Sequence, residues 1–343
     1  MARNPFRNFN VYKIDPLTEV RNAGIVTNGD VFWVSSVDDS NYRHYTDDLG
    51  QAVVKPIIQD AIDAATTNHN DYIMVIPTDG GTIRTLGTAL DVNKNYLHIL
   101  GAGFKPVPQT YTGLTFQGFA VATGNDTELV MVTGAGCEIG GLRFLGTSGT
   151  HATGTVTADF RVGTGATGTA HDLWLHDMQV ECNQAAAAGG TAPVFEVTGN
   201  VGAGISGLRV DRSWIGNWSW APTPLINFSG TAGPTRAEFR DCTFVLDAQA
   251  TTDRFVTLGT GQIEYGIFKN CDFLNVEAGT LPASALTGAV LVDNPVLLRD
   301  CSYINVTQAG TDTEVFKSPA SSGTQAAVFD YGIAIGTAAL IPA

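Results

Sequence analysis

Residues 239–244 read Phe-Arg-Asp-Cys-Thr-Phe, residues 268–273 read Phe-Lys-Asn-Cys-Asp-Phe, and residues 298–303 read Leu-Arg-Asp-Cys-Ser-Tyr. One pattern is therefore written three times. Its central Asp or Asn moves from 241 to 270 and then to 300, in steps of 29 and 30 residues. A fixed period in this range predicts structural units that stack on one another.

Weaker copies extend the repeat in both directions. The turn residues are placed at 101, 146, 177, 212, 241, 270, 300 and 330, which gives steps of 45, 31, 35, 29, 29, 30 and 30 residues. A second series consists of short apolar runs, each followed by a turn residue, and the gaps between these runs lengthen at the same places as in the first series. The last residues of the runs are Leu86, Val132, Val162, Val197, Phe228, Leu258 and Val292. Because the two series share their insertions, each unit is expected to hold at least two strands.

Two or three short strands per unit predict an all-β protein, a single-stranded right-handed parallel β-helix of about eight coils. Successive coils lie about 4.8 Å apart, so equivalent residues stack. The residues two before each turn are predicted to form an inward column: Ile99, Phe144, Leu175, Val210, Phe239, Phe268, Leu298 and Val328. The residues three after each turn form a second: Phe104, Gly149, Val180, Ile215, Phe244, Phe273, Tyr303 and Ile333. The residues just before the turns, including His176, Asp211 and Arg240, are expected to face water.

The N-terminal region falls outside the repeat. Residues 1–45 are predicted to form an irregular apolar and aromatic arm, residues 46–79 a capping α-helix with a first strand, and residues 80–343 the β-helix. The helix is expected over 54–67, because Pro56 suits a first turn and apolar residues recur there at helical spacing. It would cover the open end of the coils.

Composition limits the class of function. The net charge of −14 disfavours nucleic acid and anionic membranes as partners. No apolar run is long enough for a transmembrane helix or a signal peptide, so synthesis in a cytoplasm is expected. Three of the five cysteines, Cys242, Cys271 and Cys301, share one coil position and are predicted to be free and buried. No metal or cofactor is expected.

No recognised catalytic motif is present, since GxSxG, HExxH and P-loop patterns are absent and the six histidines are scattered. Glycosidase chemistry needs two carboxylates about 5–10 Å apart on one surface. Candidates for such a pair are Asp211, Glu238, Glu264 and Asp272, although almost any acidic β-helix would offer some. Three further aromatics suit an interface or sugar stacking: Trp214, Trp218 and Trp220. These observations predict a protein without enzymatic activity.

Residues 57–65, 75–83 and 97–103 resemble the opening of pectate-lyase-like β-helix proteins, a group that includes phage tailspikes and other phage virion β-helices. The reactive residue sets of pectin-degrading relatives do not appear here in order. The resemblance implies a non-enzymatic viral structural protein, a homotrimeric decoration or cement protein on the capsid of a bacteriophage. The alternative is a tailspike or receptor-binding protein that binds or depolymerises host polysaccharide, and a bacterial polysaccharide lyase is a third reading.

The decoration reading implies attachment through the N-terminal region, where residues 1–21 carry a net charge of +2 from Arg3, Arg7, Lys13 and Arg21 against Asp15 and Glu19. The expected attachment residues are Arg3, Phe6, Arg7, Phe9 and Tyr12. Partners would be further copies of the chain and the major capsid protein or another virion protein, on the capsid surface. A host glycan is the partner that the tailspike reading adds.

Overall fold

The computed structural model describes residues 29–35, 37, 42–50, 52–76, 84–86, 89–101, 115–117, 129–146, 160–163, 170–182, 193–199, 205–216, 224–230, 235–258, 265–277, 279–283, 285–288, 296–307 and 333–335. Within them, short strands form three parallel sheets, which we call A, B and C. The chain passes through A, B and C in turn and then starts the next coil. The predicted parallel β-helix is thereby confirmed.

Sheet A has ten strands, in the spatial order Val54–Lys55, Val31–Val34, Tyr72–Val75, His98–Gly101, Glu138–Gly140, Leu173–His176, Leu208–Asp211, Arg236–Arg240, Tyr265–Lys269 and Val296–Arg299. Sheet B has nine: Arg84–Thr85, Thr115–Gln117, Arg143–Gly146, Gln179–Cys182, Trp214–Gly216, Thr243–Leu246, Asp272–Asn275, Ser302–Ile304 and Ile333–Ile335. Sheet C has seven: Leu90–Val92, Val130–Val132, Phe160–Val162, Phe195–Gly199, Ile226–Gly230, Val256–Leu258 and Leu286–Gly288. Seven three-stranded coils therefore run from 72 to 288. An eighth coil adds Val296–Arg299 to sheet A and Ser302–Ile304 to sheet B, and Ile333–Ile335 extends sheet B by one further strand.

The interior is built from columns of stacked side chains. One column in sheet A joins Ile99, Ile139, Leu175, Val210, Phe239, Phe268 and Leu298. The rings of Phe239 and Phe268 are parallel, with centroids 4.8 Å apart. Both are fully buried, as the repeat predicts. Val328 lies outside the described residues.

Several assignments within the repeat were wrong, among them Ile333, since Ala334 and not Ile333 pairs with the inward Tyr303. Phe144 is in sheet B, paired with Val180, and the inward place in sheet A belongs to Ile139. The turn of this coil is Gly141, with φ of +68°, and not Gly146. Gly141 is followed in the same left-handed conformation by Asp177, Arg212, Asp241, Asn270 and Asp300. The first and last residues of the second series were also wrong. Val92 and Gly288, rather than Leu86 and Val292, stack in the sheet C column.

The thiol prediction is confirmed for the described cysteines. Cys242, Cys271 and Cys301 are free and buried in successive coils, and Cys137 is free and buried elsewhere in the core. Each stacked thiol donates to a backbone carbonyl of the preceding coil, at 3.4–3.6 Å. Burial raises the pKa of Cys271 well above its usual value, so this thiol stays protonated and unreactive.

Two helices within the described residues precede the coils. Ile58–Ala64 lies within the range predicted for the capping helix and buries Ile58, Ala61 and Ile62. It is shorter than expected because Val54–Lys55 forms an edge strand of sheet A instead. A second helix, Tyr42–Leu49, was not predicted. Neither helix is long and apolar enough to cross a membrane, and no other described helix is.

Candidate functional site

The outer face of sheet A carries two columns of side chains, because alternate residues of each strand point outward. The first outer column is Tyr72, His98, Glu138, Trp174, Arg209, Glu238, Ile267 and Leu297. The second outer column is Met74, Leu100, Gly140, His176, Asp211, Arg240, Lys269 and Arg299. Unlike the interior columns, these hold a different residue type in almost every coil.

Six side chains on this face form a continuous hydrogen-bonded string, which we call the His–Glu string: Asn70, His98, Glu138, His176, Asp177 and Arg212. His98 places Nε2 at 2.9 Å from Asn70 Oδ1 and Nδ1 at 2.6 Å from Glu138 Oε2. His176 places Nε2 at 2.9 Å from Glu138 Oε1 and Nδ1 at 2.8 Å from Asp177 Oδ2. The string thus joins side chains from five successive coils.

The two ends of the string are fixed by the coil geometry. Asp177 is a left-handed turn residue, with φ of +51°, and Arg212 occupies the same turn position in the next coil. Arg212 donates from Nε and a terminal nitrogen to the two oxygens of Asp177, at 2.8 and 2.7 Å. At the other end, the ring of Tyr72 stacks on that of His98, with centroids 4.1 Å apart. Asp177 and Arg212 are therefore brought together by their equivalent turn positions in adjacent coils, and not by a local sequence motif.

Glu138 is ionised at the centre of the string. Burial opposes its charge, but the hydrogen bonds from His176 and His98 outweigh that effect and lower its pKa to about 2. The side chain is 15% exposed, as are those of both histidines. The carboxylate is therefore reachable at its edge while two imidazoles hold it in one orientation.

His176 is held between two carboxylates. Burial disfavours the charged imidazole, but the hydrogen bonds to Glu138 and Asp177 prevail and raise its pKa above the usual value. Burial also opposes the charge on Asp177, while Arg212 and His176 together lower its pKa. The arrangement therefore favours the protonated form of this imidazole on the outer face of sheet A, because both ring nitrogens face a carboxylate.

Asp211 follows His176 in the second outer column and is its partner on the adjacent strand. It is 2% exposed, which corrects the expectation that it faces water, since Trp174 and Arg209 lie against it. Trp174 Nε1 donates to Asp211 Oδ2 at 2.8 Å, and Arg209 Nε lies 2.6 Å from the same oxygen. The other oxygen, Oδ1, is buried and has no hydrogen-bond partner among the residues that the structure describes.

Trp174 itself is not an open platform for a sugar. The Arg209 guanidinium lies 5.4 Å from its ring centroid, and the ring of His176 lies 4.4 Å away. The residue therefore serves as packing and as a donor to Asp211. The contacts among Trp174, Arg209 and Asp211 were indicated in the sequence only by the outward positions of these residues in neighbouring coils.

One group of three potential metal ligands occurs within the described ranges, formed by Asp30, His69 and Asp71. Their ligand atoms lie within 4.8 Å of one another. Both oxygens of Asp71 already have partners, however. Oδ1 accepts from the Asp30 amide and faces His69 Nδ1, and Oδ2 accepts from the Thr66 amide, each at 2.7 Å. These contacts favour a structural role, in which Asp71 holds the backbone at Asp30 and at Thr66 in place.

The residues proposed from sequence are not brought together at one site. Trp214 is on the outer side of sheet B and only 6% exposed. Glu238 and Asp211 share the outer face of sheet A, whereas Asp272 is in sheet B. The remaining candidates lie outside the described residues: Arg3, Phe6, Arg7, Phe9, Tyr12, Trp218, Trp220 and Glu264.

Sequence reasoning missed the His–Glu string because it placed one turn at 146. With the turn at 141, His98, Glu138 and Trp174 all stand three residues before their turns and share the first outer column. The signal that would have found the site is this column position, rather than the spacing between histidines along the chain.

No family model and no curated protein matches this chain. Among solved structures, it is similar to pectin methylesterase PemA from Erwinia chrysanthemi, with a TM-score of 0.50 and 13% identity over 92% of this chain and 91% of that one. Two pectin methylesterases in complex with hexasaccharides, one of them a substituted variant, give TM-scores of 0.49 at 12% identity, covering 91% of this chain and 90% of theirs. The fold is thus that of β-helix proteins that include pectin methylesterases.

This finding corrects the prediction that the chain is not an enzyme. The prediction was drawn from missing motifs on a regular, acidic coil body. PemA has the same fold over nine-tenths of both chains and is an enzyme by name. Motif absence in a β-helix therefore gives no ground for excluding catalysis, because neighbouring outward side chains come from different coils and not from one stretch of chain.

Proposed function

We propose that this protein processes a polysaccharide on the outer face of sheet A, with His176 as proton donor and Asp211 as proton acceptor. The observation that carries the proposal is the geometry of the His176 imidazole, whose two nitrogens lie against Glu138 and Asp177 and whose strand position is in register with Asp211. The similarity to pectin methylesterases supports the fold and suggests a carbohydrate substrate.

The two carboxylates that hold His176 have different roles in this proposal. Glu138 is bound on both oxygens by imidazoles and has a pKa of about 2, so it is too weak a base to take a proton near neutral pH. Asp177 is more exposed, 25% against 15%, and has Arg212 as a second partner. A substrate oxygen therefore displaces Asp177 from Nδ1 more easily than it displaces Glu138 from Nε2.

Asp211 supplies the complementary group. Its Oδ2 is fixed by Trp174 and Arg209, and its Oδ1 is left without a donor among the described residues. A buried acceptor without a partner is costly, and binding a water or hydroxyl proton removes that cost. Arg209 covers Asp211 but is itself 47% exposed, so in this proposal a bound substrate moves Arg209 aside and opens Asp211 to water. In a hydrolysis, Asp211 then takes a proton from the attacking water, and His176 gives a proton to the leaving oxygen, so that water adds across an ester or glycosidic bond.

The test is an activity screen on acidic, neutral and methyl-esterified polysaccharides, with release of methanol and of reducing ends as readouts. On a substrate that the protein converts, H176A and D211N should each lower kcat by about 100-fold or more. D272N, which changes an exposed carboxylate of sheet B, is the matched control and should retain full activity. Undiminished turnover by both H176A and D211N would place the reaction elsewhere.

Of the two phage readings, the tailspike type that acts on host polysaccharide is the one that agrees with this proposal. Location on a virion, homotrimer formation and attachment to a shell protein through the N-terminal arm stay predictions from the sequence. Sedimentation of the purified protein tests the first assembly step, and deletion of residues 1–21 followed by a particle-incorporation assay tests attachment.

A further inference from the structure

Gly140 lies directly beneath His176. The two residues are partners across adjacent strands of sheet A, and both are in the second outer column. A Cβ atom added at Gly140 would lie 2.3 Å from Cε1, 2.6 Å from Nε2 and 2.8 Å from Nδ1 of the His176 ring. Three ring atoms at nearly equal distances mean that the imidazole lies flat over the glycine backbone.

This position determines the direction in which the ring points. Lying over Gly140, the imidazole extends across the preceding strand and brings Nε2 to Glu138, two residues before Gly140. The ring of Trp174 is its next aromatic neighbour, with centroids 4.4 Å apart and planes tilted by 36°. In the next two coils the same column holds Asp211 and Arg240, which carry side chains at this place.

The requirement at 140 is for space and not for an unusual backbone. Gly140 is not among the residues with positive φ, whereas its neighbour Gly141 has φ of +68°. An alanine at 140 is therefore compatible with the strand but not with the present place of the His176 ring, since real Cβ contacts below 3.0 Å essentially do not occur. The glycine is explained by its neighbour in the next coil.

We infer that Gly140 is a positioning residue, whose missing side chain provides the space that seats the His176 imidazole between Glu138 and Asp177. The inference deepens the proposed function, on which its activity readout rests, while its structural readouts are independent of any activity. The groups that face His176 are Glu138 from the preceding strand, Asp177 and Trp174 from its own coil, and Asp211 from the following strand. Displacing the ring separates it from both carboxylates.

The first test is a histidine-ring NMR titration of wild type, G140A and G216A, with the His176 signal assigned by its loss in H176A. G216A is the matched control, because a Cβ at Gly216 would be similarly crowded, 2.8 Å from Val245 Cβ and 2.9 Å from the Trp214 ring, on sheet B. In G140A the His176 ring should titrate at lower pH than in wild type, near the value of about 6.5 for a free imidazole. G216A should leave that titration unchanged. An unaltered His176 titration in folded G140A overturns the inference.

The second test is a double-mutant cycle on the unfolding midpoint, which stays informative if G140A folds poorly. In the H176A background the space over residue 140 is empty, so G140A/H176A should unfold at the same midpoint as H176A. An equal loss from G140A in both backgrounds would assign the glycine to another role. If the titration and the cycle both give the expected results but no polysaccharide is converted, Gly140 still positions His176 and only the proposed function fails. On a converted substrate, G140A should lower kcat more than it changes KM.

Discussion

The inner and outer columns of sheet A use the same strand register for opposite purposes. Inside, Val210, Phe239 and Phe268 repeat one kind of side chain, so each coil packs on a copy of itself. Outside, His98, Glu138 and Trp174 occupy equivalent places with unlike chemistry. The comparison teaches that stacking alone gives a stable column, whereas a site requires that successive coils differ in a complementary way.

The largest effect is expected from breaking the inner column. Phe268 stacks on Phe239 and meets Phe244 and Phe273 with ring centroids 6.0 Å away. Truncation in F268A leaves a cavity between neighbouring coils and should lower the free energy of unfolding by about 3–5 kcal/mol. Urea denaturation measures the change. F268L, which keeps most of the volume, should cost less than about 1.5 kcal/mol, and equal losses for both variants would contradict a tightly packed column.

A smaller effect, visible through pH, is expected from the outer string. Glu138 has a pKa of about 2 in the fold against an ordinary value of 4.5, so its stabilising contribution is complete above pH 4.5 and is lost as the pH falls towards 2. The difference corresponds to about 3 kcal/mol. For His176 the sign is reversed: its pKa is raised above 6.5, so its contribution is complete below pH 6.5 and is lost as the pH rises through the folded value.

Stability from these two groups is therefore greatest between pH 4.5 and 6.5. E138Q removes the carboxylate charge and should flatten the loss on both sides of that window, because His176 loses its partner as well. Thermal unfolding across pH 2.5–8 is the measurement, with D272N on sheet B as the control that keeps the wild-type profile. An E138Q profile parallel to that of wild type would mean that the string does not couple its charges.

The smallest effect is expected at the exposed end of the string. Arg212 binds Asp177 through two hydrogen bonds, but its side chain is 49% exposed. R212Q should therefore cost only about 0.2–1 kcal/mol, and less at high salt. R299Q offers a comparison, because Arg299 and Asp300 are both more than half exposed and 3.4 Å apart. A loss in R212Q well above 1 kcal/mol would show that the string acts as one unit with His176.

The difference between the two columns also explains what could be predicted from the sequence. The interior repeats similar residues at a near-constant spacing, so the fold, the Phe239–Phe268 stack and the buried thiols were readable. The site follows no such repetition. Its residues have to be aligned by register before they are neighbours, and a turn placed at 146 instead of 141 moved Glu138 out of line with His98 and His176.

The burial of some outward residues could not be predicted from the sequence, because it depends on contacts with side chains of other strands. Asp211 was expected in water, yet Trp174 and Arg209 lie against it, and no alternation pattern reports such a contact. Trp214 is in an outward place of sheet B but is nearly buried, and Gly216 beside it gives its ring room. In each case a neighbour in three dimensions decides the environment, and the sequence specifies only the direction of the side chain.

The left-handed turn that ends each sheet A strand, from Gly141 to Asp300, divides the chain into interchangeable lengths. Gene duplication of one such length after Asp241 would insert a coil and extend the column by about 4.8 Å, leaving His98, Glu138, His176 and Arg212 in contact. A copy of a different coil inserted between Gly141 and Leu173–His176 would instead part Glu138 from His176 by one coil. The column can therefore gain coils after Asp241 without breaking the His–Glu string, whereas the coils that carry the string have to stay adjacent.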